Sequence, residues 1–365
     1  MIITILLAIS CAFALSYFLI PTLIRIAKEK QLFDVPDHRK SHHSPTPSMG
    51  GLAIFVGFCV ASTLFAEGIA ETPFRFLIVA TFLMVLTGVY DDLLQMKAKT
   101  KALMQLLVAS LLFFGGFSIA QVPGIPGLSE LPLWLSYLLT TFFIMLIVNA
   151  YNLIDGIDGL AGSLGTASAL VFAGLFYLAG LHGWCLLALA LAASLLAFLR
   201  FNFFNASIFM GDTGSMLVGL LIAVFGISYL QAESNNSLYA SNHLPLVIAT
   251  VLLPVYDLAR VFLGRLLSGK SPFEADQSHI QHQLMQLKMS TPMICTSLVI
   301  IQLFIVYCAS WLTTLPTLLA IMVLTILTGE GLLLLKLLLR FRLRWQSKSS
   351  LSELINFKNK LKGEP

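Results

Sequence analysis

Long apolar runs separated by short polar breaks fill most of this chain, and their lengths predict a bundle of membrane-crossing helices. Eleven runs stand out, at about 2–26, 49–66, 74–90, 102–120, 132–150, 160–180, 183–203, 213–231, 243–264, 293–312 and 315–340. Each is near the ~20 residues an α-helix needs to cross a bilayer. The predicted fold is all-α and polytopic, with about eleven spans. Residues 1–340 form one transmembrane domain and 341–365 a basic tail. The runs carry no internal repeat, so the inverted-repeat plan of many secondary transporters has no support. The longest predicted break is the one from 265 to 292, too short for a soluble domain.

The placement of lysine and arginine orients this bundle. No basic residue precedes the first run, while Arg25, Lys28, Lys30, Arg39 and Lys40 follow it. That is the reverse of a cleaved signal peptide. The breaks at 27–48, 91–101 and 265–292 and the stretch after Lys336 are basic. Those at 121–131, 181–182, 232–242 and 313–314 hold no Lys or Arg. The positive-inside rule then puts the N-terminus outside (periplasmic) and the C-terminus in the cytoplasm. Arg75 is the one basic residue placed outside, beside Glu67 and Glu71. The tail from Arg340 to Lys362 reads as a contact with anionic membrane lipids.

Composition strengthens the membrane reading. The 365 residues are 58% hydrophobic and 11% charged, against roughly a quarter charged in a soluble domain. The net charge of +4 gathers in the breaks on one side, so no nucleic acid is expected as a partner. Cys11, Cys59, Cys185, Cys295 and Cys308 all fall inside apolar runs and read as small packing residues.

Placed on this topology, most of the acidic, amide and histidine residues collect at the cytoplasmic ends. Asp91 and Asp92 end the third run, followed by Lys97, Lys99 and Lys101. Two adjacent carboxylates repel, and a cation offsets that; equally, a helix end at the interface is where charges belong. Asn149, Asn152, Asp155 and Asp158 end the fifth run among glycines. Asp155 and Asp158 share a face if the helix continues, and four such side chains are a costly way to pack a membrane mouth. Asn202 and Asn205 lie just before Phe209-Met-Gly-Asp-Thr-Gly-Ser215. There Asp212 reads either as a helix cap or as an oxygen ligand for magnesium, which favours one or two carboxylates with water and substrate phosphate. His279 and His282, at i and i+3 on one face of a helix, join Arg265 and Lys270 in a loop suited to phosphate. A zinc site lacks a third ligand at useful spacing. His38, Arg39, Lys40, His42 and His43 form a second basic cluster, suited to a ligand or to a juxtamembrane anchor. Asp257 and Arg260, within the ninth run, read as a buried pair.

Together these motifs resemble the polyprenyl-phosphate N-acetylhexosamine-1-phosphate transferases, glycosyltransferase family 4. The resemblance runs through Pro45-Thr-Pro-Ser-Met-Gly-Gly51, Gly88-Val-Tyr-Asp-Asp92, Asn152-Leu-Ile-Asp-Gly-Ile-Asp-Gly159, Phe209 to Ser215, Gly269-Lys-Ser-Pro-Phe-Glu-Ala-Asp276 and His279-Ile-Gln-His282. It implies ten or eleven helices around a cytoplasmic cleft in the bacterial inner membrane, often as a homodimer. His-Ile-Gln-His resembles the His-Ile-His-His of the WecA/TagO-like branch, with Gln281 in place of a histidine. That branch implies transfer of N-acetylglucosamine-1-phosphate from a UDP-N-acetylhexosamine to undecaprenyl phosphate, releasing UMP and starting a surface glycan such as O-antigen lipopolysaccharide or a cell-wall polymer. UDP-GalNAc, a deoxy-amino sugar or UDP-MurNAc-pentapeptide are the alternative donors, and an ion-coupled transporter is the alternative class.

By the same resemblance, Asp212 is the main magnesium ligand, helped by Asn152, with manganese able to substitute. Asp91, Asp92 and Lys101 lie at the reacting phosphates, one aspartate serving as base or metal partner. Asp155 and Asp158 shape the nucleotide site. His279, His282, Arg265, Asn205 and His42 bind substrate.

Overall fold

The computed structural model describes residues 2–31, 46–67, 69, 71–122, 128, 130–234, 243–269, 271 and 278–362, without the side chains of 342 and 344–362. Twelve helices occur among them: α1 (Ile2–Lys30), α2 (Gly50–Phe65), α3 (Glu71–Leu94), α4 (Ala98–Phe114), α5 (Leu133–Ile154), α6 (Leu160–Leu178), α7 (His182–Asn202), α8 (Gly211–Ser234), α9 (Leu244–Leu267), α10 (Ile280–Gln286), α11 (Thr291–Trp311) and α12 (Thr317–Lys362). Every predicted apolar run is helical, and nine helices are long and apolar enough to cross a membrane. The other two, α2 and α4, have 16 and 17 residues, about 24–26 Å at 1.5 Å per residue, just under a ~30 Å hydrocarbon core. The short helix α10 lies inside the break at 265–292, where His279 and His282 fall three residues apart. The tail boundary at 340 falls within α12, which continues unbroken to Lys362.

Burial grades from the centre outward. In α8 94% of the apolar span is buried, against 17% in α1, so α8 is the post around which α2, α3, α5, α6 and α9 pack. Large side chains such as Phe18, Phe114, Trp134, Phe142, Leu178 and Trp311 stay exposed around the outside. In water that much apolar surface would drive association; on membrane-spanning helices it meets lipid. All five cysteines are free, and Cys185 and Cys295 are buried, as their packing role required. Glu330 departs from the pattern: it is an exposed carboxylate inside the span of α12.

Between apolar helices, close contact depends on small residues and on polar pairs. A Cβ on Gly57 would lie 2.1 Å from Ser16 Oγ, and Ser16 Oγ donates to Ala53 O at 3.0 Å. That seats α1 on α2. Deeper in, Gln302 of α11 donates to Ser168 Oγ (2.8 Å) and Thr250 O (3.1 Å), and Tyr151 OH meets Ser168 Oγ at 2.8 Å. These bonds tie α5, α6, α9 and α11 together at membrane depth.

The glycine motifs fix the start of α8. Gly50 and Gly51 donate their N–H groups to Phe209 O (2.9 Å) and Met210 O (3.0 Å). A Cβ on Gly51 would fall 2.2 Å from Gly214 N, and one on Gly88 would fall 2.3 Å from Thr213 Cα. Backbone cannot yield as a flexible side chain can, so Gly88→Ala should destabilise by about 1–3 kcal/mol. This exceeds the ~1 kcal/mol that alanine gains in helix propensity. Thermal unfolding in detergent would read it as a lowered melting temperature; an unchanged value would mean that α3 and α8 do not approach this closely.

Candidate active site

The chain zigzags, so the ends of α3, α5, α7 and α9 and the starts of α4, α6, α8 and α10 share one end of the bundle. Their polar residues meet there. At the centre, the Lys101 ammonium, in the first turn of α4, sits among three oxygens. It is 2.9 Å from Asp91 Oδ2 and 3.1 Å from Asn152 Oδ1, and it forms a short ion pair with Asp212 Oδ2. Asn152 Nδ2 donates to Asp212 Oδ1 at 2.8 Å and to Ser215 Oγ at 3.0 Å. One turn deeper, Gln105 and Asn149 pair through their amides, with Asn149 Nδ2 donating to Gln105 Oε1 at 2.8 Å. This braces α4 against α5 behind the cluster.

The two adjacent aspartates separate in role. Successive helical residues diverge by about 100°, so they face different neighbours. Asp91 turns to Lys101 and accepts the Met96 N–H at 2.6 Å. Asp92 turns to the start of α8. Its Oδ1 accepts the Asp212 N–H (2.8 Å), and its Oδ2 accepts the Thr213 N–H (3.1 Å) and hydroxyl (2.6 Å). A carboxylate from another helix thus caps α8, satisfying orphan N–H groups and meeting the positive end of the helix dipole. Gly211 makes room: at φ +70°, it is a position where a Cβ would lie 2.6 Å from Asp92 Oδ2.

Asp155 is the first residue beyond α5, at its C-cap position, and Asp158 follows in the turn before α6. Burial first, then the facing charges of Asp212, Asp92 and Asp158, hold the Asp155 carboxyl well above the usual carboxylate range. The turn is anchored by Asn202, whose Oδ1 accepts the Gly159 N–H at 2.6 Å while its Nδ2 donates to Ile208 O at 2.9 Å. Gly159 has φ +78°, a left-handed conformation that favours glycine.

The helix α10 closes the same end. His279 is its N-cap residue, and Gln281, fully buried, donates to Leu153 O at 3.3 Å. A Cβ on Gly156 would lie 2.9 Å from Gln281 Nε2 and 3.5 Å from His282 Nε2, so α10 rests on the acidic turn. From α12, Lys336 donates to Gln283 Oε1 at 2.5 Å. The expected Asp257–Arg260 pair is present at 2.7 Å.

A model of Glycosyl transferase family 4 matches residues 74–230, the stretch holding the Asp91, Lys101, Asn152 and Asp212 cluster. A Bacillus subtilis (strain 168) protein named "Probable undecaprenyl-phosphate N-acetylglucosaminyl 1-phosphate transferase" is 38% identical over 274 residues, 74% of each chain. The chain belongs to glycosyl transferase family 4. Within it, a Mycobacterium tuberculosis (strain ATCC 25618 / H37Rv) relative named "Decaprenyl-phosphate N-acetylglucosaminephosphotransferase" is 33% identical over 299 residues, covering 75% of this chain and 74% of its own. The Escherichia coli (strain K12) "Undecaprenyl-phosphate alpha-N-acetylglucosaminyl 1-phosphate transferase" is 29% identical over 290 residues, 74% of this chain and 75% of its own.

In this family member, the structure gathers Asp91, Asp92, Lys101, Asn152, Asp155 and Asp212 into one cluster, with Asp158 in the turn beside it. His279 and His282 come with α10. Asn205 stays exposed in the turn after α7, and Asn202 is the amide used at the acidic turn. Arg265 is half-buried in the last turn of α9, two turns beyond Asp257. His42 lies outside the described residues, as do Lys270 and Phe273 to Asp276. Sequence reasoning passed over Gln105, although an amide inside an apolar run was the available signal, and it noticed Gln281 only as a departure from the histidine motif.

The Gly156–Gln281 contact is testable by coupling. Gly156→Ala crowds a buried amide and should lower stability by about 1 kcal/mol. Adding Gln281→Ala, which opens that space, should give a combined loss smaller than the sum of the single losses. Strict additivity of the melting shifts would mean that α10 does not rest on Gly156.

Proposed function

We propose that this protein transfers N-acetylglucosamine-1-phosphate from UDP-N-acetylglucosamine to a polyprenyl phosphate, releasing UMP. The observation that carries the reading is the Lys101 ammonium seated among Asp91, Asn152 and Asp212 at the end of the bundle where the basic breaks gather. The sugar rests on the names of the relatives, each of which specifies N-acetylglucosamine. The positive-inside rule supports a cytoplasmic orientation for this end, the side where nucleotide sugars are made. The product would be the first lipid-linked intermediate of a surface glycan in the bacterial inner membrane.

The donor set fits a hard cation. Three oxygens already surround a positive charge, and the acids outnumber the cations around them. Among the described residues no three acidic, His or Cys side chains enclose an ion by themselves. That suits magnesium, which keeps waters and substrate phosphates in its shell and takes one or two protein carboxylates. Asp212 and Asn152 would hold it. When bound, it neutralises charge on the diphosphate.

The chain's own residues position the reactants. A non-bridging oxygen of the lipid phosphate attacks the β-phosphorus. The bond from that phosphorus to the bridging oxygen breaks, and UMP leaves with the oxygen and its electron pair. Such a transfer needs alignment and charge compensation more than covalent help. Lys101 offers its ammonium to the phosphate oxygens, and Asp91 holds Lys101 in place. A strong base is not required, because a phosphate monoester with a second pKa near ~6 is largely ionised at pH 7. Asp155 and Asp158 shape the nucleotide pocket, and His279, His282 and Arg265 reach the diphosphate or the sugar.

The test is UMP release by the purified protein with polyprenyl phosphate, magnesium and a panel of UDP-sugars. UDP-N-acetylglucosamine should lead the panel, and release should need both lipid and metal. Equal or faster release from UDP-GalNAc would reassign the sugar, and no release from any UDP-N-acetylhexosamine would overturn the reading.

A further inference from the structure

Asp257 has more partners than an ion pair requires. It is buried in α9, 1% exposed, beyond Pro254 and nearly three turns before the helix ends. Its Oδ1 accepts from Arg260 Nη2 (2.7 Å) and from the Ile280 N–H (3.0 Å). Its Oδ2 lies 2.8 Å from His279 Nδ1. Arg260 Nη2 also donates to Ser278 O at 2.6 Å, and Gln283 Nε2 donates to the same carbonyl at 2.6 Å. The chain from Ser278 to Ile280 is therefore fastened to α9 through three hydrogen bonds, and Gln283 of α10 adds a fourth to Ser278 O. His279, 6% exposed, is held by one named ring nitrogen.

We propose that Asp257 is a positioning residue for the transfer: by holding His279 Nδ1 and the first N–H of α10, it fixes which imidazole nitrogen is presented to the donor's diphosphate. The inference rests on the transferase reading above. It follows from the two nitrogens of the ring being distinct. A carboxylate accepting from Nδ1–H leaves Nε2 as the nitrogen open to a ligand. Orientation by a buried acid of this kind also fixes the ring against rotation, as second partners do for ligating histidines. The geometry of α10 points the same way: its other histidine, His282, has Nε2 3.5 Å from the Cβ position of Gly156 in the acidic turn, and His279 lies three residues before it.

Asparagine at 257 separates positioning from packing. It keeps the shape and the Oδ1 acceptor for Ile280 N–H and Arg260, but it turns an N–H donor towards Nδ1. The imidazole must then shift its proton to Nε2 or lose the bond. Asp257→Asn should lower kcat/KM for the UDP-sugar about 10–100-fold. In a His279→Ala background the same change should cost little more, because the group it positions is gone. A role confined to packing gives losses that multiply instead. If Asp257→Asn fails to fold, Asp257→Asn with Arg260→Gln removes both charges and leaves no buried ion unpaired.

A second readout is independent of turnover. Histidine 15N spectra of the full-length protein in lipid, assigned with His279→Ala, should place a proton on His279 Nδ1 in the wild type and displace it in Asp257→Asn. Identical His279 signals in the two proteins, or losses that multiply with His279→Ala, would overturn the proposal. If the wild type releases no UMP from a UDP-N-acetylhexosamine while the His279 signals shift as expected, the transferase reading fails and the Asp257–His279 link stands.

Discussion

Asp212→Ala should cut UMP release by about 10³-fold or more while leaving the protein folded. The magnitude is that of removing a main electrostatic stabiliser of a charged transition state, about 10²–10³-fold for one donor, with loss of the proposed metal contact added. Folding should survive, because Lys101 keeps its 2.9 Å partner Asp91 and its contact with Asn152 Oδ1 at 3.1 Å. No buried charge is left alone: Lys101 loses one of its two carboxylates and Asn152 loses one acceptor, the latter at a cost of about 1 kcal/mol. Asp212→Asn keeps the shape and the acceptor yet loses the charge, so it should be nearly as inactive. Half of wild-type turnover in either variant, with an unchanged magnesium requirement, would remove Asp212 from the centre of the site.

Asp92→Ala should lower both stability and turnover, and that joint effect separates it from its neighbour. Its carboxylate takes three hydrogen bonds from the first turn of α8. Loss of a helix cap costs about 1–2 kcal/mol, which in a protein of this size lowers the melting temperature by roughly 2–4 °C per kcal/mol. The start of α8 carries Asp212, so loosening it should raise the magnesium concentration for half activity and cut turnover by about 10²-fold. A 1 Å displacement of a positioned group is enough for that. Asp92→Glu should not restore activity, because the longer side chain cannot reach both Asp212 and Thr213 beside Gly211. Lost turnover with an unchanged melting temperature would instead mean that Asp92 acts directly on substrate.

The spans and the shared end of the bundle were legible because they depend on length, hydropathy and the placement of Lys and Arg. The division between Asp91 and Asp92 was not. It depends on which helix each side chain faces, and two adjacent residues give no sign of that in sequence. Of Asn202 and Asn205, the sequence reading chose Asn205 for the site; only the fold puts Asn202 Oδ1 2.6 Å from Gly159 N. The capping reading of the Asp212 motif was half right: α8 is capped, but by Asp92 from α3. The helix α10 was legible only through His279 and His282, placed three apart on one helical face; its seven residues carry too little periodicity to give its bounds. Asp257 was legible as half of an ion pair, and its link to His279 waited on a contact 22 residues away.

The most direct test of the account follows one phosphorus atom. UDP-N-acetylglucosamine labelled at the β-phosphate would be incubated with the purified protein, undecaprenyl phosphate and magnesium, and the lipid and aqueous phases separated. Transfer of the sugar phosphate puts the label in the lipid and leaves unlabelled UMP in water. Label remaining in the aqueous phase as UDP, with the sugar alone on the lipid, would contradict it.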